Sequence, residues 1–268
     1  MTEALRTMRG EWLLEYFRYR ELFYFLVWRD VKIRYKQTVL GAAWAVIQPF
    51  FMMIVFTLFF GRMAGIDSEG VPYPVFSYSA LVPWTYFQQA MPLSGNSLLA
   101  NSRLISKVYF PRAIIPAAAA LGGVVDFFIA AVVLVAIMLY YGFPLGWGLL
   151  LWPVLLVPTV AFVVAVGMIF SALNVKYRDI KYTIPFFIQA MLFVSPVIYP
   201  TSAVPEQYQT LLRLNPMVGL INAFRAAALP GRTIDLGELG VSIAVITGLL
   251  IVATIYFRKT ERAFADLI

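Results

Sequence analysis

The sequence predicts an all-α membrane protein: six transmembrane helices, interfacial helices before them, and short re-entrant or external gate helices before the last span. Three observations predict it. Only 13% of the 268 residues are charged and 61% are hydrophobic, with a mean hydropathy of +0.80, whereas a soluble domain carries about one quarter charged residues. The apolar residues fall in runs close to the ~20 that a bilayer core requires. The basic residues gather in alternate loops, as they do beside membrane spans.

Composition also excludes chemistry. Without cysteine or histidine there is no disulfide framework, thiol nucleophile, zinc site or histidine base. The net charge of +7 sits beside hydrophobic spans, which points to anionic lipid headgroups rather than nucleic acid. The first residues are too charged for a cleavable signal peptide.

Residues 1–38 read as cytoplasmic interfacial helices, with Trp12, Leu13, Tyr16, Phe17 and Phe23 against the bilayer. Within the stretch WRDVKIRYKQTVLGAAWAVIQP, the basic half carries Arg29, Lys32, Arg34 and Lys36. Arg29, Lys32 and Lys36 share a helical face, and Asp30 stands four residues before Arg34, a spacing that allows a pair. The transmembrane domain, 39–258, holds spans at about 40–60, 73–94, 114–140, 149–173, 183–199 and 239–257. The second is expected to be broken by Pro74, Pro83 and Pro92. Between 205 and 229 two short amphipathic helices are expected, the second capped by Asn215 and interrupted by Arg225. A polar cytoplasmic tail, 259–268, closes the chain.

Orientation follows from the basic residues. With the N-terminus inside, all of the 21 basic residues except Arg62, Arg213, Arg225 and Arg232 lie on the cytoplasmic side, so both termini are cytoplasmic. No inverted repeat of the kind many secondary transporters show is visible.

Four features are candidates for function. The loop 96–112 carries Asn96, Ser97, Leu98, Leu99, Asn101, Arg103 and Lys107; as a short amphipathic helix between two spans it is a mechanical handle, or else a loop that only sets topology. Asp126 is the only acid inside a predicted span, with no basic residue expected at its depth; it either lines a channel or is held by hydrogen bonds. Tyr73, Phe76, Trp84 and Phe87 recur at helical spacing in the second span, a surface on which sugar rings stack or an ordinary aromatic belt. Gln48, Gln88, Gln89 and Gln189 bond between helices or line a hydrated path. There is no phosphate-binding loop for ATP, no metal-ligating cluster, and no acid pair or Ser/Lys dyad for catalysis within the spans.

Taken together, the interfacial helices, WRDVKIRYKQTVLGAAWAVIQP, NSRLISKVYFPR, NVKYRDIKY, NPMVGLINAFRAAAL and the ending ERAFADLI closely resemble the permease subunit of ABC-type polysaccharide exporters: the Wzm-type O-antigen exporters and their capsule and teichoic-acid relatives. The resemblance covers nearly the whole chain. It implies a homodimer in the bacterial inner membrane, bound to two copies of a separate ATP-binding subunit that holds ATP and magnesium, with no cofactor on this chain. It implies export of an undecaprenyl-diphosphate-linked polysaccharide such as O-antigen. Residues 96–105 then match the coupling helix, and Arg29, Lys32, Arg34 and Lys36 would meet the lipid diphosphate. Residues 205–229 match external gate helices, and the first and fifth spans the lateral opening. Rival readings are a capsular or teichoic-acid permease, a small-molecule or drug exporter of the same superfamily, a polytopic glycosyltransferase or lipid phosphatase, and a proton-coupled transporter.

Overall fold

The computed structural model describes residues 18–36, 43–177, 179–261 and 264. The aromatic residues expected to anchor the N-terminus (Trp12, Leu13, Tyr16, Phe17), the beginning of the first span, and most of the tail lie outside these. Among the described residues all regular structure is helical: α1 (Arg20–Lys36), α2 (Ala43–Phe56, widening into a π-helical end, Thr57–Met63), α3 (Tyr73–Gly95), α4 (Ser97–Ala100), α5 (Ser102–Ile105), α6 (Ile114–Leu121), α7 (Val124–Tyr140), α8 (Trp152–Lys176, entered by a 3₁₀ turn, Trp147–Leu151), α9 (Ile180–Val194), α10 (Glu206–Arg213), α11 (Pro216–Ala228) and α12 (Leu236–Glu261).

Helix α3 is the axis of the bundle. Every residue from Val75 to Phe87 is buried, and α2, α6, α7, α8, α9 and α11 all pack against it. The helix runs through Pro83 and Pro92 without a break, where the sequence suggested interruption; a proline removes one donor and frees one carbonyl, and neighbouring helices enclose this stretch. Close approach of α8 depends on Gly167, whose missing Cβ would lie 2.0 Å from the Ser94 hydroxyl. Small residues at crossings are the usual means of packing helices where water provides no hydrophobic drive.

Among the described residues four stretches are long and apolar enough to cross a membrane: Ala43–Met63, Ile114–Tyr140, Trp147–Lys176 and Leu236–Glu261. Their outer faces are apolar and exposed, as with Phe51, Val132, Val157 and Val252, the pattern of a surface that meets lipid. The third span, Ile114–Tyr140, has the extent expected; α6 and α7 meet within it at Gly122–Gly123, where both glycines keep helical backbone angles. The expected fifth span is shorter than predicted: α9 has 15 residues, about 22 Å. It stops at Ser195, which precedes Pro196 and takes an extended conformation (φ −113°, ψ 144°); the residue before a proline is pushed out of the helical region.

Two short helices stand where 205–229 suggested them. Asn215 caps α11, its side chain accepting from the Met217 amide at 3.0 Å. The burial of α11 differs from expectation. Residues 217–229 are apolar enough to touch lipid and too short to cross it, but Met217, Leu220, Ile221 and Phe224 are buried between α3, α8 and α12. A stripe of apolar residues marks a covered face without saying whether lipid or protein covers it.

Candidate functional site

A polar cluster joins the interfacial helix to the bundle. Helix α1 lies against the Gly122–Gly123 turn: a Cβ on Gly122 would make an ordinary contact with the Asp30 Cβ at 3.5 Å, and one on Gly123 with Arg34 Nη1 at 3.6 Å. From there Arg34 turns inward. Its Nη2 pairs with Asp126 Oδ2 at 2.7 Å and donates to Gln89 Oε1. Tyr35 donates its hydroxyl to Asp126 Oδ1, and Gln89 donates to Gln48 Oε1 at 3.1 Å. Burial and the Asp126 carboxylate both push the Tyr35 phenol well above its ordinary pKa, so it remains a donor. One chain of bonds thus links α1, α2, α3 and α7.

This corrects two expectations. Asp126 has a basic partner after all, supplied by a helix outside the spans and distant in sequence. Arg34 does not pair with Asp30, which instead accepts from Arg29 at 2.7 Å. Of the four basic residues predicted for a headgroup, Lys32 and Lys36 are exposed, Arg29 is half-buried beside Asp30, and Arg34 is committed to the bundle. The glutamines whose use the sequence left open divide: Gln48 and Gln89 bond between helices.

The loop 96–112 is a cap held from inside. The expected single helix is two, α4 and α5, divided at Asn101, whose side chain donates to the Ser97 carbonyl at 2.9 Å. Ser97, Leu98 and Ile105 face inward, while Leu99, Arg103 and Lys107 are exposed. Asn96 accepts from Asn174 of α8 at 2.8 Å. Further along, the Arg112 amide and guanidinium donate to Glu261 at the end of α12, at 2.8 and 2.6 Å. The cap is therefore bonded to α8 and α12, while its outer face presents Leu99, Val108 and Tyr109 with the basic Arg103 and Lys107.

The aromatic stripe does not line an open path. Tyr73, Phe76, Trp84 and Phe87 are all buried within this chain. Tyr73 donates to the Ile198 carbonyl at 2.7 Å, and Phe87 stacks on Phe162 with centroids 5.4 Å apart. The helical spacing was real, but the surface opposite the stripe is α8 and α9 of the same chain.

At the other end of α3 lies a second polar cluster that the sequence reading missed. Arg225 is buried, 3% exposed, over the Phe76 ring at 3.8 Å. It donates to the Pro196 carbonyl at 2.9 Å and the Val197 carbonyl at 3.5 Å, groups left without helical partners where α9 stops. Nearby, Arg232 pairs with Glu69 at 2.6 Å, Ser202 donates to Glu69 at 2.7 Å, and Asn222 donates to Thr201 and Glu238 at 2.8 and 3.0 Å. The available signal was Arg225 itself, the single charge within the apolar run 216–229.

An apolar-surfaced helical bundle with basic interfacial elements and a pinned surface cap defines an integral membrane protein. The family profile described as ABC-2 type transporter matches residues 21–229; the chain belongs to that family. It is 28% identical to the O-antigen export system permease protein RfbA of Myxococcus xanthus, over 94% of this chain and 97% of that one. It is likewise 28% identical to the protein of the same name from Klebsiella pneumoniae, over 90% and 92%. The polysialic acid transport protein KpsM of Escherichia coli is 23% identical over 76% and 79%.

Proposed function

We propose that the chain is the permease subunit of an ATP-driven polysaccharide exporter, with O-antigen or a similar lipid-linked polymer as cargo. The observation that carries this is similarity over nearly the full length of two O-antigen export permeases. A capsular polymer is the second reading, favoured by the likeness to the polysialic acid transport protein.

In this reading the subunit works as a homodimer with both termini in the cytoplasm, α3 and α9 adding to the four long apolar stretches to make six spans. A separate ATP-binding subunit docks on Leu99, Arg103 and Lys107, whose exposure and inside anchoring suit a cap that is pushed. The chain itself hydrolyses no ATP. Lys32 and Lys36, with Arg29, attract the anionic headgroup of the lipid carrier, while Arg34 holds the helix that presents them. For the glycan, the exposed aromatics Trp44 of α2 and Phe186 and Phe193 of α9 are better placed than the buried stripe. The segments around 205–229 close the outer end.

The test is export in cells. Deleting the chain should abolish surface polysaccharide and leave lipid-linked glycan inside; wild type should restore it. Arg103→Glu should insert and fold normally yet restore under one tenth of the surface glycan. Normal surface glycan in the deletion strain would overturn the function, and full export by Arg103→Glu would remove this loop from coupling.

A further inference from the structure

The outer cluster lines an open cleft of about 420 Å³, within the usual size range of small-molecule pockets. Glu69, Thr201, Asn222, Arg225, Arg232 and Thr233 line it. Its charge is unbalanced: two guanidiniums face one carboxylate. Among the described residues Arg225 has no carboxylate in salt-bridge range, and its Nε–H is buried without a hydrogen-bond partner. A buried donor left unmade costs stability, and a buried charge is ordinarily paired. Arg232 is engaged, but by Glu69 alone, which thus occupies the position an incoming anion would take. Glu69 also holds a left-handed backbone conformation (φ 57°), uncommon for a residue with a side chain. Around the two arginines, the hydroxyls of Thr201 and Thr233 and the amide of Asn222 are the neutral groups that bond sugar hydroxyls.

We propose that this cleft binds an acidic saccharide unit, with Arg225 and Arg232 on its anionic group and the neutral side chains on its ring. Arginine suits the task because its planar fork matches carboxylate and phosphate oxygens. The choice of a sugar rests on the export reading; the preference for an anion rests on the two arginines alone.

The two flanking charges make opposite predictions, which a purely structural role does not. The full chain in nanodiscs of zwitterionic lipid is titrated calorimetrically with glucuronate, glucose and inorganic phosphate, and thermal unfolding checks each variant's fold. Glucuronate should bind at least about tenfold more tightly than either glucose or phosphate, given the size of charge-assisted contacts. Glu69→Gln, which frees Arg232, should tighten glucuronate binding several-fold. Arg232→Gln, which leaves Glu69 facing Arg225, should weaken it about tenfold, and Arg225→Lys should weaken it while keeping the buried charge. Equal binding of glucose would overturn the anion preference. Phosphate binding as tightly as glucuronate would overturn the saccharide assignment in favour of a phosphate source. No binding, or both flanking variants shifting affinity the same way, would remove the site. If export fails its own test while glucuronate binds, only the export reading falls; if export holds and nothing binds, only this site does.

Discussion

Arg34 and Arg225 both enter the bundle, and the difference between them shows what each end is built for. Their contacts on α3, Gln89 and Phe76, are thirteen residues apart, about 20 Å along the helix. Arg34 meets a carboxylate, Asp126, and both side chains are further bonded to neutral groups. Arg225 meets an aromatic face and two backbone carbonyls. An ion pair bonded on both sides to neutral groups fixes α1 to the spans. A guanidinium without an acid, beside a cleft, remains chemically open. The inner cluster is thus a fastening, and the outer one has the makings of a binding site.

The largest expected effect is on the fastening. Asp126→Ala leaves Arg34 half-buried without its acid, and removing one partner of a buried pair costs about 3–5 kcal/mol. The exposure of Arg34, 27% at its side chain, puts the expectation at the lower end, about 3 kcal/mol. The double variant Arg34→Met, Asp126→Leu should recover most of that, since well-packed apolar residues often replace buried ion pairs without loss. Thermal unfolding of the four corners of this cycle measures the coupling. A double variant no more stable than Asp126→Ala would show that the pair is not the source of the stability.

The same substitution logic gives a smaller number at the outer end. Arg225→Met leaves the Pro196 and Val197 carbonyls unpaired, an expected cost of about 1–3 kcal/mol. No acid substitution should rescue it, because among the described residues no acid pairs with Arg225. Rescue by Glu69→Gln, read as a recovered midpoint of unfolding, would mean that a direct Glu69–Arg225 bond exists and that the two ends are alike.

Much of this architecture is legible in the chain, and the failures have physical causes. Long apolar runs and the positions of basic residues mark the spans because lipid imposes those patterns. The cap by Asn215 is legible because it is local. The Arg34–Asp126 pair is not, since 92 residues separate its members and only the packing of α1 against α6 brings them together. Period alone placed Tyr73, Phe76, Trp84 and Phe87 on one side of a helix, yet period cannot distinguish a neighbour in the same chain from an open path. Likewise Pro83 and Pro92 read as breaks because local rules do not register the helices that surround α3.

The smallest effect concerns the one ion pair at the outer end, and it separates the two clusters by their response to solvent. Burial raises the pKa of the Glu69 carboxyl, but the Ser202 hydrogen bond and the Arg232 charge outweigh it, so the net shift is downward. A group whose folded pKa is depressed contributes stability above its unfolded value and loses it as pH falls through the folded one. The contribution should therefore be present at pH 7 and fade below about pH 4. Glu69 and Arg232 keep 34% and 25% of their side-chain surface exposed, so solvent screening limits the pair to about 0–1 kcal/mol. Glu69→Gln should then lower the unfolding midpoint slightly at pH 7 and low salt, with the difference shrinking as pH falls through the depressed carboxyl pKa, or in molar salt. The Asp126 cycle, measured in parallel at pH 7, should lose far less of its coupling to salt, because buried pairs are screened less. Equal salt sensitivity at the two ends would show that Arg34 is as open to water as Arg232, and the fastening would have to be assigned to packing around Gly122 and Gly123 instead.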